Sequence, residues 1–319
     1  MNCLCCARPL SEAEVQSGWH QRCIRKFFGT ETLPLIDLER EALEGYALKT
    51  AFKGLTVPGV QKKMSLHLQK EDVPRLTFVN VPTGYILKPQ SEDYESLPEA
   101  EDLAMRLAER AGVRTVPHAL LGTRGQFAYI TKRIDRSISG KTVRKYAMED
   151  FCQVDGRLTA DKYKGSYERC AKIIDRYSAR KGLDISELFL MLVISCITGN
   201  SDMHLKNFSL VETAPGNNEF VLSAAYDLLP VNIILPEDRE EMALTLCGKK
   251  QHLRRKDFLE FAASCDMVEQ AAVKILDRTL LLEPDYLAMC DDSYLPDIMR
   301  NNLKDLIAER CERLKESRK

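Results

Sequence analysis

The stretch 199-GNSDMHLKNFSL-210 sets one Asp, one His, one Lys and two Asn into a dozen residues, directly after an apolar run. Asp202 and Asn207 stand in a D-x-x-x-x-N spacing, and Asp227 follows within 226-YDLL-229. Two carboxylates and an amide oxygen suit a hard cation such as Mg²⁺, which takes oxygen ligands and keeps sites for water and phosphate. Phosphoryl transfer uses such a set: one Asp accepts or orients the attacking hydroxyl, while an Asn and a second Asp hold metal against the phosphates. The spacing alone is weak, because Asp and Asn also favour tight turns. The reading therefore depends on whether the other parts of such a site are present.

The same chemistry calls for a lysine on a strand to hold phosphates and a carboxylate on the next helix to position it. The segment 86-ILKP-89 supplies Lys88 at the end of an apolar run, where a lone buried lysine would be costly. Glu101 is the best candidate for its carboxylate, with Glu99 behind it. A phosphate-covering loop is expected earlier, and 54-GLTVPGVQKK-63 offers two glycines, fewer than a G-x-G-x-x-G loop. A plain strand-to-strand turn accounts for that segment equally well. The end of 126-QFAYITKRI-134 would serve as a connector whose backbone meets an adenine.

The elements that must position these groups follow from periodicity. Residues 31–50 read as helical. Residues 64–69 and 126–134 alternate, and 75–81 and 84–89 are short apolar runs, so four strands are expected. A helix over 98–113 interrupts them, with Ser96 and Glu99 as a capping box, Pro98 in its first turn and Gly112 at its end. Helices are expected over 147–154, 166–181, 184–198, 255–264, 267–281 and 295–315. Within that half, 207–212 and 219–227 read as a hairpin whose second strand ends in Asp227. The fold class is α+β, with a sheet-rich N-lobe, a helical C-lobe and a small Cys-rich unit at the N-terminus. The expected domains are 1–30, 31–135 and 136–319, with a ligand crevice between the two lobes.

Composition fits a globular protein, 45% apolar and 29% charged, with a net charge of −1. That balance argues against a general nucleic-acid or membrane-surface binder. The most apolar segment, 185-ISELFLMLVISCIT-198, is too short to span a bilayer and reads as a core helix. No secretory signal opens the chain. Of eleven cysteines, seven are scattered through apolar or helical patterns, as in a cytoplasmic protein with reduced thiols. The other four are N-terminal. Cys3-x2-Cys6 with His20-x2-Cys23 has the spacing of a small tetrahedral, structural Zn²⁺ site, leaving Cys5 spare. The competing reading is a set of reduced thiols packed under 24-IRKFFG-29.

Taken in order, 57-VPGVQKK-63, 86-ILKP-89, 133-RIDR-136, 149-EDFCQ-153, 200-NSDMHLKNF-208 and 226-YDLL-229 resemble the HipA/HipT family of bacterial toxin serine/threonine kinases. The resemblance implies an atypical protein-kinase-like fold using ATP and Mg²⁺. It implies Asp202 as catalytic base, Asn207 and Asp227 as Mg²⁺ ligands, and Lys88, positioned by Glu101, on the ATP phosphates. His204 would lie near the transferred phosphate, with Lys206 facing phosphate or substrate charge. Val57, Gly59, Gln61 and Lys63 would form the phosphate loop, and Lys132, Arg133 and Ile134 the adenine connector. Thr56 would be the autophosphorylated residue, where the family usually has Ser, and Pro58 stands where some members have a second Ser. A phosphate there would add close to two negative charges beside those of ATP. About 55 residues precede the phosphate loop, as in the shorter HipT arrangement, where a small HipS-like protein and a HipB-like DNA-binding antitoxin are partners. The implied role is the toxin of a type II toxin–antitoxin system, linked to persistence, with an aminoacyl-tRNA synthetase as substrate. A small-molecule kinase of the aminoglycoside or choline type shares the D-x-x-x-x-N…D pattern. An inactive kinase-like module of a repressor complex is the third reading.

Overall fold

The computed structural model describes residues 1–36, 63–70, 72–79, 84–122, 125–139 and 142–315. The loop candidates Thr56, Val57, Gly59 and Gln61, and most of the helix expected over 31–50, lie outside the described residues. Contacts divide the chain into two units, Met1–Asp102 with Val116–Val143, and Leu103–Thr115 with Arg144–Lys319.

The first unit begins with α1 (Glu12–Val15) and α2 (Gln21–Phe28). Then come β1 (Met64–Gln69), β2 (Arg75–Phe78), β3 (Tyr85–Pro89), α3 (Leu97–Ala111), β4 (His118–Gly122) and β5 (Phe127–Lys132). Helix α3 counts with this unit as far as Asp102. The five strands form one antiparallel sheet in the order β2-β1-β3-β5-β4. Strand β3 is central, and Tyr85, Leu87 and Lys88 are all buried. A central strand covered on both faces reads as a continuous apolar run rather than an alternating one. A ribbon of β6 (Arg136–Ser139) and β7 (Thr142–Lys145) follows.

The second unit takes the rest of α3 and continues from Arg144 with β8 (Met148–Asp150) and α4 (Phe151–Val154), where one helix over 147–154 is expected. Asp150 divides the two. Its side chain accepts from the Gln153 amide while Gln153 accepts from the Asp150 amide, a reciprocal cap that starts the helix there. Helices α5 (Tyr167–Tyr177) and α6 (Lys181–Thr198) come next. Ser178, in extended backbone, ends α5 earlier than its periodicity suggests. Strands β9 (Ser209–Glu212) and β10 (Phe220–Leu222) complete an antiparallel sheet ordered β10-β9-β8. The chain then runs through α7 (Val231–Ile234), α8 (Arg255–Ser264), α9 (Glu269–Leu281), α10 (Glu283–Asp291) and α11 (Asp297–Lys315).

Two further departures from sequence expectation concern the ends of elements, and a third is the presence of added elements. Strand β10 stops at Leu222, so Asp227 lies beyond the hairpin, in left-handed backbone with φ 56°. Ser96 also has φ 50°, so it does not adopt the extended geometry of an N-cap. Strand β4, the β6–β7 ribbon and α10 add to the expected elements; β4 carries the short apolar run 118-HALLG-122.

Helix α6 is the core of its unit, with Leu188, Phe189, Leu192, Val193, Cys196 and Ile197 almost fully buried. Among the described residues no helix is long and apolar enough to cross a membrane. Gly199 ends α6 in left-handed backbone, φ 73°, and a Cβ there would meet Leu306 Cδ2 at 2.5 Å. Gly199→Ala should therefore destabilise the protein by about 1–3 kcal/mol, read as a lower urea midpoint. The turn is also held from α11. Arg310, buried, donates from Nη1 to the Cys196 carbonyl at 3.2 Å, and Glu241 lies 3.7 Å from the same nitrogen.

Candidate active site

In the first unit Lys88 and Glu101 form an ion pair from which water is nearly excluded, their side chains 4% and 2% exposed. The register pairs Lys88 with Tyr129, and the ammonium lies 5.3 Å from that ring centroid. An isolated ammonium or carboxylate buried this deeply would carry a large desolvation cost. Each offsets the other, so the sheet presents a lysine of fixed position and charge. Glu99, two residues earlier and so on a different face of the helix, does not take this role. Its Oε2 is buried without a hydrogen-bond partner, and burial pushes its carboxyl pKa up, with Asp102 and Glu95 acting in the same direction. Next to Glu101, Asp102 accepts from His118 Nδ1 at 3.1 Å, and the His118 ring stacks on Tyr129.

The connector candidates fall at and after the end of β5. The Lys132 amide donates to the Pro117 carbonyl, and the Arg133 amide to the Gly84 carbonyl. The Lys132 ammonium lies over the Phe27 ring and within 3.4 Å of the Lys26 carbonyl. Arg133 makes a two-pronged contact with Asp135. Ile134 follows Arg133 in the chain, and Lys63 immediately precedes β1.

In the second unit the loop after α6 is built around Asp202. Its side chain is half-exposed, and Oδ1 accepts from the Tyr163 hydroxyl at 2.6 Å. Asn200 Oδ1 accepts from the Asp202 amide, and Asn207 Nδ2 donates to the Asp202 carbonyl at 2.8 Å. That last bond fixes the Asn207 amide, because a carbonyl oxygen can only accept. The nitrogen must face it, and Asn207 Oδ1 is left for the opposite side. His204 is buried, with Nε2 3.9 Å from Asp202 Oδ2 and its ring edge-on to Tyr163.

Asp227 is fastened to this loop through its neighbour. The Tyr226 hydroxyl contacts Ser209 Oγ at 2.6 Å and donates to the Lys206 carbonyl at 3.1 Å. The charge of Asp227 reaches both Tyr226 and His204. Lys206 itself pairs with Asp150 at 2.7 Å, which ties the loop to the cap of α4. Within this unit the structure thus gathers Asp202, His204, Asn207 and the Asp227 segment. Their donor set is oxygen-rich, and two buried atoms of the loop, His204 Nδ1 and Asn200 Nδ2, have no hydrogen-bond partner. A hard cation with attached phosphates fits such a set. Tyr163, Asn200 and Asp150 were not expected from sequence. Tyr163 and Asp150 lie far from Asp202 in the chain and come to the loop only by folding.

Burial lowers the His204 pKa from its usual 6.5 and Lys162 adds to this, while Asp202 and Asp227 oppose it. At His204 the folded state therefore binds fewer protons than the unfolded state as pH falls below 6.5, so the contribution of this residue to stability falls with pH across that window. His204→Gln should flatten this loss, measured by urea unfolding at about pH 7.5 and about pH 5.5.

Comparison with known proteins bears on the family and the fold. The family model for the HipA-like C-terminal domain matches residues 55–282, well over half of the chain. A Haemophilus influenzae protein named "Putative kinase" is 28% identical over 244 residues, taking in 72% of this chain and 68% of that protein. Two Sinorhizobium fredii proteins, "Putative kinase Y4mE" and "Putative kinase Y4dM", are 26% and 30% identical; the matches take in 81% and 70% of this chain. The chain spans only 63% and 57% of their lengths. Among solved structures, HipA of Shewanella oneidensis MR-1, determined with HipB and operator DNA, superposes with a TM-score of 0.69 at 19% identity, covering 82% of this chain and 65% of that one. The Helicobacter pylori proinflammatory kinase CtkA gives 0.53 at 14% identity, covering 81% of this chain and 90% of that one. A sheet-rich part and a helical part with the kinase-like fold of these proteins, and a family match across the segment that carries Lys88, Asp202 and Asp227, lead to one assignment: this chain belongs to the HipA-like kinase family.

Proposed function

We propose that the protein is an ATP-dependent serine/threonine protein kinase, acting as the toxin of a type II toxin–antitoxin system. The observation that carries the reading is the Asp202 loop, where Asn207 is locked with its oxygen turned away from the Asp202 carbonyl and Asp227 is fastened to the same loop. Asp202 orients the acceptor hydroxyl and takes its proton. Asn207 Oδ1 and the Asp227 carboxylate hold Mg²⁺, which when bound neutralises the charge of the phosphates. His204, neutral and buried, lies beside Asp202. Lys88, kept in place by Glu101, meets ATP phosphate, and Val57, Gly59, Gln61 and Lys63 contribute to ATP binding. Thr56 is the autophosphorylated hydroxyl. Lys206 secures the loop through Asp150. A HipB-like DNA-binding protein and a small HipS-like protein are its partners, and an aminoacyl-tRNA synthetase is its substrate; the HipA match, solved with HipB and DNA, supports the first of these.

The test is incubation of the protein with γ-labelled ATP and a bacterial lysate, followed by mass spectrometry of the labelled sites. The expected result is phosphate on Ser or Thr of a protein and on Thr56, absent with Asp202→Ala and with Asp227→Ala. Labelling that survives both substitutions would overturn the reading. ATP consumption only in the presence of a small alcohol would instead assign a small-molecule kinase.

A further inference from the structure

The proposed transfer chemistry does not use the four-residue cluster at the N-terminus. We infer that Cys3, Cys6, His20 and Cys23 form a structural Zn²⁺ site that clasps the N-terminal segment onto the sheet carrying Lys88. The one-atom ligands of these four residues, three sulfurs and an imidazole nitrogen, all lie within 4.8 Å of one another. Zinc–sulfur and zinc–nitrogen bonds of ~2.3 and ~2.0 Å give a tetrahedron with S–N edges of roughly 3.5 Å. The distances from His20 Nδ1 to Cys6 Sγ and Cys23 Sγ are 3.3 and 4.0 Å, on either side of that value.

The surroundings are those of a built site. The chain turns tightly between the first two thiols: the Ala7 amide donates to the Cys3 carbonyl, the Cys3 amide to the Arg8 carbonyl, and Ala7 takes φ 54°. His20 immediately precedes α2, which places Cys23 in its first turn. His20 Nε2 lies 3.0 Å from the Pro9 carbonyl. A carbonyl can only accept, so the proton sits on Nε2 and the lone pair of Nδ1 faces the sulfurs, the outer contact that orients metal-bound imidazoles. The His20 amide donates to Cys3 Sγ at 3.3 Å, a further contact that fixes this thiol beside the imidazole. Three thiolates and one imidazole fill all four positions of a tetrahedral ion, the ligand count of a structural zinc rather than a catalytic one. Cys5 lies outside the set.

What the clasp holds is visible in the same unit. The Leu120 amide of β4 donates to the Leu4 carbonyl, between the two knuckle cysteines. Trp19, Phe27 and Phe28 pack together, and both phenylalanines meet Tyr85 of β3, whose hydroxyl donates to the Phe27 carbonyl. Tyr85 and Lys88 are on one strand. Because a site of this kind is formed only in the folded chain, metal binding adds to the folding free energy of whatever it closes.

The test uses the full chain expressed with zinc and purified without chelator. Elemental analysis should find one zinc per chain, and replacement by Co²⁺ should give the visible d–d and thiolate charge-transfer bands of a tetrahedral S₃N site. Cys5→Ser should keep the metal and Cys23→Ser should lose it. Loss of the metal in Cys23→Ser has the same outcome as misfolding, so His20→Cys is the second variant: it should retain the metal and shift the cobalt bands toward those of an S₄ site. Hydrogen exchange at Leu120 and along β3 should rise when zinc is removed. The inference fails if the reduced chain binds neither zinc nor cobalt, if a disulfide joins any two of these cysteines, or if His20→Cys leaves the cobalt spectrum unchanged.

Discussion

Lys88→Met should destabilise the protein by about 3–5 kcal/mol and abolish phosphate transfer in the same variant. The cost arises because the Glu101 carboxylate, 2% exposed, would keep its burial and lose its cation. The more informative variant is the double one. In Lys88→Met/Glu101→Leu both charges are gone and apolar groups fill the site, so much of the lost stability should return, as apolar replacements of buried pairs often do. Transfer should not return, because the ammonium proposed to meet the ATP phosphate is still missing. Urea unfolding and γ-phosphate labelling on the three proteins separate the two roles. A double variant with restored transfer would remove Lys88 from the mechanism, and a single variant as stable as the parent would show that the pair is not an energetic unit.

Asp202→Asn should do the reverse, leaving the fold intact while lowering the rate by roughly a hundred- to ten-thousandfold, the usual worth of a positioned general base. The side chain is half-exposed, and an asparagine oxygen can still accept from the Tyr163 hydroxyl. The Asn207 bond goes to the Asp202 backbone carbonyl, which the substitution does not touch. Mg–ATP binding by calorimetry should therefore survive in Asp202→Asn and be lost in Asp227→Ala, because only the second removes a proposed metal ligand. Unchanged rates in Asp202→Asn, with unfolding unaltered, would remove this residue as the base.

How much of this was legible in the sequence depended on the range of the interaction concerned. Strand β1 was read at its full bounds, and the Asp202 loop stood out because an apolar helix of core composition ends beside a cluster of polar residues. Helix α8 was equally plain. The cap of α4 was harder: Asp150 and Gln153 start a helical turn after a short strand, and a periodicity window merges the two. Tyr163 gave no signal at all. It sits in a polar connecting segment, and only tertiary placement brings its hydroxyl to Asp202. The same holds for Asp150, since a lysine in a catalytic loop suggests phosphate as readily as a distant carboxylate. The position of Asp227 was misjudged because hydrophobicity continues through 223-SAAY-226 after strand pairing has ended.

The bond from Arg310 to the Cys196 carbonyl has a consequence for how the protein is made. Chains emerge from the ribosome N-terminus first, and domains tend to fold in that order. Arg310 comes far later in the chain than Lys88 and its sheet, so that sheet is synthesised well before the guanidinium that steadies the turn into Asp202. During translation the Asp202 loop has no such support until α11 has left the exit tunnel, and the turn is fixed only as that helix packs against α6.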